Sequence, residues 1–285
     1  MQTPPASRKQ RGFTLVEMSV VLILAGLLVA AVTAGQDLIN TAKAKKAVRD
    51  ISTLSSQLHL YAQSKGRLPG DCDADGVIDY AADTTTRFDT DTNTRALEYA
   101  FSSALPTIPN DGAEAVEQTD GCALTGGAAI GADLDEDQPT VASLSTVVPS
   151  PTNANVWLND LKLAGMVSDS APNRNLAKTL AEDFLFVGKI TDAGGVSAEE
   201  ADYNAIVMHN VPQWMAISMA QAINGQDAVA NRSRLRSLTR VDSDGAGTYE
   251  ATWQVVGDDD TAMRDALVTV AYFFDQVPES QGAVD

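Results

Sequence analysis

Four aspartates between Asp71 and Asp79 have the spacing of a calcium-binding loop. Carboxylates at alternate positions turn toward one side of a tight bend, where several oxygens can surround a single hard cation. The glycine at position 76 permits the sharp bend that such a loop requires. We therefore predict that Ca²⁺ is a cofactor, held by four side chains and one backbone carbonyl: Asp71, Asp73, Asp75, Asp79 and, through its carbonyl, Val77.

The loop departs from a complete EF-hand at its last position. A bidentate glutamate belongs there, whereas this chain has Ala82, with Asp83 one residue late. A shorter Asp-x-Asp-x-Asp-Gly loop, completed by a distant carboxylate or by water, fits the residues better. The alternative is an acidic turn that is simply solvated by water.

A second carboxylate lies in a very different setting, near the start of the chain. From Phe13 to Gln36 the only formal charge is Glu17, and the remaining residues are mostly apolar. About 20 such residues are enough to cross a bilayer as a helix. A carboxylate inside hydrocarbon is costly and usually marks a function. The alternative is a single-pass anchor whose glutamate merely sits at the membrane interface.

The residues around this carboxylate resemble a known family signal. A short basic leader ends at Gly12 and is followed by Phe-Thr-Leu-Val-Glu and then by the apolar run. This order resembles the type III signal of type IV prepilins and of the pseudopilins of type II secretion. The resemblance implies that a prepilin peptidase cleaves between Gly12 and Phe13 and methylates the new amino terminus. It also implies that Glu17 meets the Phe13 amine of a neighbouring subunit during filament assembly.

The resemblance implies a structural function. We expect a subunit of a type IV pilus-like extracellular filament, or fimbrium, and the large head favours a pilin, with a minor or tip position as one option. The partners would be other pilins in a homo- or hetero-polymer, the prepilin peptidase and, before assembly, the inner membrane. The location would change from single-pass inner membrane to periplasmic or extracellular filament at the cell surface, where we expect a role in cell adhesion. The alternatives are a pseudopilin of a type II secretion system and, from another class, a membrane-anchored periplasmic enzyme or binding protein.

Composition excludes several other functions. The formal net charge is −18, so no general nucleic-acid binding is expected. Only two histidines are present, and no Gly-x-Ser-x-Gly, phosphate-loop or zinc pattern occurs. The sequence therefore predicts that the protein is not an enzyme.

The two cysteines, Cys72 and Cys122, follow the apolar segment and would lie on the outer side of the membrane. An even cysteine count in an exported domain favours one disulfide. The alternative is a pair of unpaired buried thiols.

The elements that must position these residues begin with one long helix. After the apolar run, Ala44, Ala47, Ile51 and Leu54 recur at helical spacing, and the helix should end before Gly66. The chain then divides into a leader, a transmembrane or polymerisation half of the helix, an amphipathic half and a globular head: residues 1–12, 13–36, 37–65 and 66–285.

The head carries strand and helix patterns in alternation. Four aliphatic and aromatic runs read as strands, at residues 183–190, 203–208, 249–256 and 267–274. Helices are predicted after Asn155 as a cap and at residues 214–223, and a short helical pattern occurs near residues 95–104. The Leu-Pro-Gly-Asp sequence at 68–71 and the aromatic-Leu-x-Leu-Ala-Gly pattern near Gly165 also resemble larger-headed pilin-like proteins. The predicted fold class is α+β: a long helix carrying a head with an antiparallel sheet, a pilin-like lollipop.

Overall fold

The computed structural model describes most of the long helix and the principal elements of the head. The described residues are 15–82, 153–178, 184–192, 201–225, 229–238, 249–250, 252–253 and 266–278. The chain forms two compact units, Met1–Ala42 and Lys43–Asp285.

Helix α1 covers Leu15–Lys65. Its sequence contains no proline and is rich in Leu, Ala and other residues compatible with a helix. The helix ends as predicted at Gly66, which has a φ of +79° and donates its N–H to the carbonyl of Ala62 at 2.8 Å. Glycine adopts this left-handed conformation readily, and the bond satisfies one of the last carbonyls of the helix.

The remaining elements all belong to the unit Lys43–Asp285. The short helices are α2 at Val156–Leu163 and α3 at Asn173–Leu176, and the longer α4 covers Gln213–Asn224. The strands are β1 at Leu185–Asp192, β2 at Ala201–Pro212, β3 at Leu235–Leu238 and β4 at Leu267–Phe273. The four strands form one antiparallel sheet in the order β1-β2-β4-β3. The α+β class with a long amino-terminal helix is therefore confirmed.

The core of this unit forms where α1, α2 and α4 meet the sheet. The predicted stripe of α1 is buried at Ala44, Ala47 and Ile51, and it continues to Leu58 and Tyr61. The inward-facing residues of the sheet are aliphatic and aromatic and almost fully buried, among them Phe186, Ile206, Val270 and Phe273. Helical periodicity alone thus identified the face of α1 that packs on the head.

One strand was not predicted, and another predicted strand lies only partly among the described residues. Strand β3 lies in the arginine-rich stretch, where Arg236 is only 2% exposed and places its guanidinium over the rings of Tyr249 and Phe273. The sequence pattern did not predict this strand, because strand patterns are recognised from apolar residues and Arg236 is a charged residue that is buried here. Within the predicted strand 249–256, the described residues contribute only an isolated bridge from Tyr249 to Leu238.

The predicted cap of α2 is also only partly right. Asn155 stands at the cap position, but its side chain makes no capping hydrogen bond. Its amide instead donates to Asn153 at 3.2 Å and accepts from Asn173 at 3.1 Å. All three asparagines are buried, so each uses its side chain to satisfy a neighbour rather than the helix end.

Candidate functional site

Three of the four aspartates of the predicted calcium loop, Asp71, Asp73 and Asp75, lie close together. Asp71 is fully buried, whereas Asp73 and Asp75 are exposed. A carboxylate oxygen of each lies within 4.8 Å of the others, which is a spacing that one cation can bridge. Asp79 is directed elsewhere, since its Oδ2 accepts a hydrogen bond from the backbone N–H of Cys72 at 2.8 Å.

The loop backbone folds around the buried carboxylate. The N–H groups of Asp75 and Gly76 donate to Asp71 at 3.2 and 3.1 Å, and the N–H of Val77 donates to Asp75 at 2.7 Å. This path requires left-handed backbone at Ala74, with a φ of 61°, and at Gly76, with a φ of 93°. The glycine at position 76 therefore has the conformational role that the spacing predicted.

Burial and a neighbouring negative charge disfavour the ionised form of the Asp71 carboxylate. Burial raises the pKa of Asp71 most, and the negative charge of Asp75 raises it further, whereas hydrogen bonds from the loop backbone oppose both effects. A cation beside the group would favour its charged form. The donor set of carboxylates and backbone oxygens is of the hard kind that Ca²⁺ prefers.

Two residues that the sequence did not single out attach this loop to the sheet. The side chain of Asn204 on β2 accepts from the N–H of Ile78 and donates to the carbonyl of Gly76, both at 2.9 Å. The backbone of Lys189 on β1 donates to Tyr80 at 2.7 Å and accepts from Ala82 at 2.9 Å. Both attachments join residues more than a hundred positions apart, so no local pattern could have revealed them.

A buried ion pair holds the start of the loop against α2. The guanidinium of Arg67 contacts the carboxylate of Asp160, which is fully buried and also accepts the N–H of Gly70 at 2.7 Å. A Cβ at Gly70 would come within 3.4 Å of the backbone nitrogen of Trp157. The Leu-Pro-Gly-Asp sequence at 68–71 therefore packs against α2, the helix that carries the aromatic-Leu pattern.

At the other end of the chain, Glu17 lies exposed in the first turn of α1. The predicted cleavage pair Gly12 and Phe13 lies outside the described residues. The apolar side chains that follow are also exposed, from Leu15 at 86% to Leu38 at 75%. Among the described residues, α1 is the one helix long and apolar enough to cross a membrane, and no residue in its most hydrophobic window is buried. Apolar surface of this extent must be covered by lipid or by protein.

Comparison with known proteins identifies the kind of amino terminus that carries this surface. The family model of the prokaryotic N-terminal methylation motif matches residues 7–33, which include Gly12, Phe13 and Glu17. The amino terminus is that of a type IV pilin-type or pseudopilin-type prepilin. No curated protein and no solved structure matches the chain.

The motif carries several consequences for this prepilin. It implies processing by a prepilin peptidase and assembly with other pilins. Together with the exposed apolar helix, it supports anchoring in the membrane before assembly into a surface filament. It points to a structural role.

Only one cysteine of the predicted pair lies among the described residues. Cys72 lies in the acidic loop and is half-buried, and Cys122 lies outside the described residues. The part of the chain that the structure describes contains no free cysteine.

Proposed function

We propose that this prepilin is a structural subunit of a type IV pilus-like extracellular filament and has no enzymatic activity. A prepilin peptidase would cut between Gly12 and Phe13, and the methylated Phe13 amine would become the first group of the mature subunit. The acidic head, residues 66–285, would face the exterior of the filament in a minor or tip position.

One observation carries the proposal. The methylation motif at residues 7–33 overlaps an apolar segment, residues 13–36, whose described large side chains are exposed and which carries a single carboxylate, Glu17. A membrane anchor needs the apolar residues but has no need of a charge there. A helix that must leave lipid and pack against copies of itself needs both, because the charge fixes the register of an otherwise uniform apolar surface.

The partner of that charge follows from the spacing. Glu17 lies four residues after Phe13, or about 6 Å along a helix at 1.5 Å per residue. In the proposed filament the Glu17 carboxylate of one subunit pairs with the Phe13 amine of its neighbour. Such a pair is stable away from water only when both charges are present.

Replacement of Glu17 by alanine tests the filament. Sheared surface fractions from the native cell should lose the Glu17→Ala subunit, whereas Asp37→Ala, an exposed acid on the same helix, should leave it in place. Mass spectrometry of the membrane fraction should still find a chain that begins at methylated Phe13, which separates failed assembly from failed processing. Normal amounts of Glu17→Ala protein in sheared filaments would contradict the proposal.

The same experiment weighs the alternatives. A pseudopilin of a type II secretion system would leave the sheared fraction without this chain even in the parent strain, and Glu17→Ala would instead block export of secreted proteins. A membrane-anchored enzyme or binding protein would keep its activity and its location after the substitution.

We further propose that the acidic loop binds Ca²⁺ through Asp71, Asp73 and Asp75, with the Val77 carbonyl and Asp79 completing the site after a local rearrangement. The support is the close approach of three carboxylates together with the burial of one of them. Asp79 would have to exchange its bond to the Cys72 N–H for the cation.

Thermal unfolding of the processed full-length protein in detergent tests the calcium site. Because a ligand that binds only the native state stabilises it, calcium at about 100 times its Kd should add about 2.7 kcal/mol relative to EGTA. Asp73→Ala should abolish the shift, and Asp169→Ala, which removes an exposed acid from another loop, should retain it. A midpoint that does not respond to calcium would favour the solvated acidic turn.

We also propose a disulfide between Cys72 and Cys122. The absence of a free cysteine among the described residues supports it. Such a bond would tie the acidic loop to a segment some 50 residues further along the chain.

A further inference from the structure

An open apolar cavity of about 440 Å³ lies within the head, apart from the acidic loop. Its walls come from α1 between Lys46 and Gln57, from α2, and from the sheet at Leu185, Met208 and Val211. This volume falls inside the range of roughly 300 to 1,000 Å³ that is typical of small-molecule sites. We call it the α1–α2 pocket.

The lining of the α1–α2 pocket is apolar inside and charged at the rim. Ile51, Trp157 and Leu161 are almost fully buried. Among the described residues, the exposed charges at the rim are two lysines, Lys46 and Lys178, and one acid, Asp50. The described part of the rim therefore carries one more positive than negative charge, on a chain whose net charge is −18.

The position of the pocket along the chain indicates where a ligand could come from. Lys46 follows the apolar segment by ten residues, and Lys43, Lys45 and Arg49 are exposed on the same stretch of α1. Basic residues beside a membrane-spanning segment attract anionic lipids. A single-chain anionic lipid leaving the bilayer would therefore meet this stretch first.

We propose that the α1–α2 pocket binds a long-chain fatty acid. Its acyl chain would lie along Leu54, Leu176 and Leu185, which are the partly exposed leucines of the lining, and its carboxylate would lie at the rim near Lys46 and Lys178. The apolar helix of a second copy is a poorer occupant, because from Phe13 to Gln36 it offers no anion except Glu17. The proposal rests on the membrane-anchored state of the prepilin but not on its assembly into a filament.

Photolabelling of the full chain in vesicles tests the proposal. The vesicles contain phosphatidylethanolamine and phosphatidylglycerol with a trace of palmitic acid that carries a diazirine in mid-chain. After irradiation, peptide mass spectrometry should find label on pocket residues such as Leu54 and Met215. Label within residues 15–42 reports membrane anchoring separately, so loss of pocket label alone leaves the anchoring intact.

Matched probes and variants define the expected result. Hexadecanol with the same diazirine should label the pocket about fivefold less, because it lacks the charge that the lysines attract. The double variant Lys46→Glu/Lys178→Glu should lose label to the same extent, whereas Lys45→Glu, an exposed neighbour outside the lining, should not. Leu54→Trp should block the pocket by filling it, and an unchanged unfolding midpoint would show that the variant is folded.

Other outcomes would overturn the proposal. Equal loss with Lys45→Glu would indicate general attraction to the charged surface. Stronger pocket label from diazirine phosphatidylglycerol than from the fatty acid would identify a bilayer phospholipid as the occupant. Cross-links from the pocket to another copy of the chain would identify a protein occupant, and label confined to residues 15–42 would leave the pocket without a lipid.

Discussion

Arg67 and Asp160 form a two-pronged ion pair in which Nη1 donates to Oδ2 at 2.8 Å and Nη2 donates to Oδ1 at 2.9 Å. The carboxylate is fully buried, and the guanidinium also donates to the carbonyl of Asp71 at 2.8 Å. The pair therefore joins the end of α1, the start of the acidic loop and the middle of α2. Paired geometry of this kind is the strongest form of ion pair in proteins.

Replacement of Asp160 by asparagine should destabilise the head strongly. The substitution leaves a mostly buried guanidinium without its counter-charge, and breaking a buried pair in this way costs about 3 to 5 kcal/mol. Urea unfolding of the full chain in detergent, followed by tryptophan fluorescence, measures the loss. Asp169→Asn, at an exposed position, should change the free energy of unfolding by less than about 0.5 kcal/mol. A loss below about 1 kcal/mol for Asp160→Asn would mean that the pair is not essential to the fold.

Replacement of Gly188 by alanine should separate the acidic loop from the sheet. A Cβ at this position would lie 2.2 Å from the carbonyl oxygen of Tyr80, which is the same oxygen that accepts the N–H of Lys189. Overpacking of this kind costs about 1 to 3 kcal/mol and should move the loop. Calorimetric unfolding should show the loss, and calcium affinity, where the site binds calcium, should fall with it.

Gly165→Ala is the matched control for that change. Gly165 has a φ of +68° but nothing within 4 Å of a new Cβ, so alanine there meets only the backbone penalty of roughly 1 to 2 kcal/mol. It should leave calcium affinity unchanged. An equal effect of both substitutions on the loop would argue against the close contact between Gly188 and Tyr80.

The sequence predicted those features that repeat along the chain. Periodicity identified the buried stripe of α1 and its end before Gly66, and aliphatic runs identified three of the four strands. The sequence did not predict β3, because burial of Arg236 depends on aromatic rings contributed by distant residues, Tyr249 and Phe273. It could not pair Arg67 with Asp160 either, because the two are 93 positions apart and each looks like an ordinary surface charge.

The same limit applies to the candidate sites. The spacing of Asp71, Asp73 and Asp75 predicted their approach to one another, because the loop is local in sequence. The direction of Asp79 toward Cys72 depends on how the loop closes, and spacing does not determine that. The α1–α2 pocket is formed by elements far apart in the chain, so no sequence motif predicts it.

The ion pair between Lys189 and Asp202 should make stability depend on pH in a defined direction. Their atoms lie 2.6 Å apart, and Thr191 also donates to Asp202 at 2.7 Å. Burial raises the pKa of Asp202, but the hydrogen bonds from Lys189 and Thr191 outweigh it, and the pKa lies below its ordinary value. The hydrogen bond to Asp202 in turn raises the pKa of Lys189. The stabilisation from Asp202 is thus present above the unfolded pKa of 3.8 and is lost as the pH falls through the folded value.

Asp202→Asn tests this dependence. Near neutral pH the variant should be less stable than the parent by about 0.5 to 1 kcal/mol, since the pair is partly exposed. The gap should close as the pH falls below 3.8, because the parent then loses the same charge. Urea midpoints of both proteins at several pH values between neutral and acidic measure it. A gap that persists unchanged in acid would show that the side chain stabilises the fold without its charge.

Serine substitutions at Cys72 and Cys122 should behave as changes to a single bond. A disulfide that closes a loop of about 50 residues contributes on the order of 4 kcal/mol in the chain-entropy model. Cys72→Ser, Cys122→Ser and the double variant should then lose the same stability to within about 0.5 kcal/mol, because the first substitution already removes the bond. Reduction of the parent should reproduce that loss, and alkylation before reduction should modify neither cysteine in the parent. Two unpaired thiols would instead give small losses that add in the double variant. The attachments of the acidic loop to the head would then be those made by Asn204, Lys189 and the Arg67 pair, as far as the described residues show.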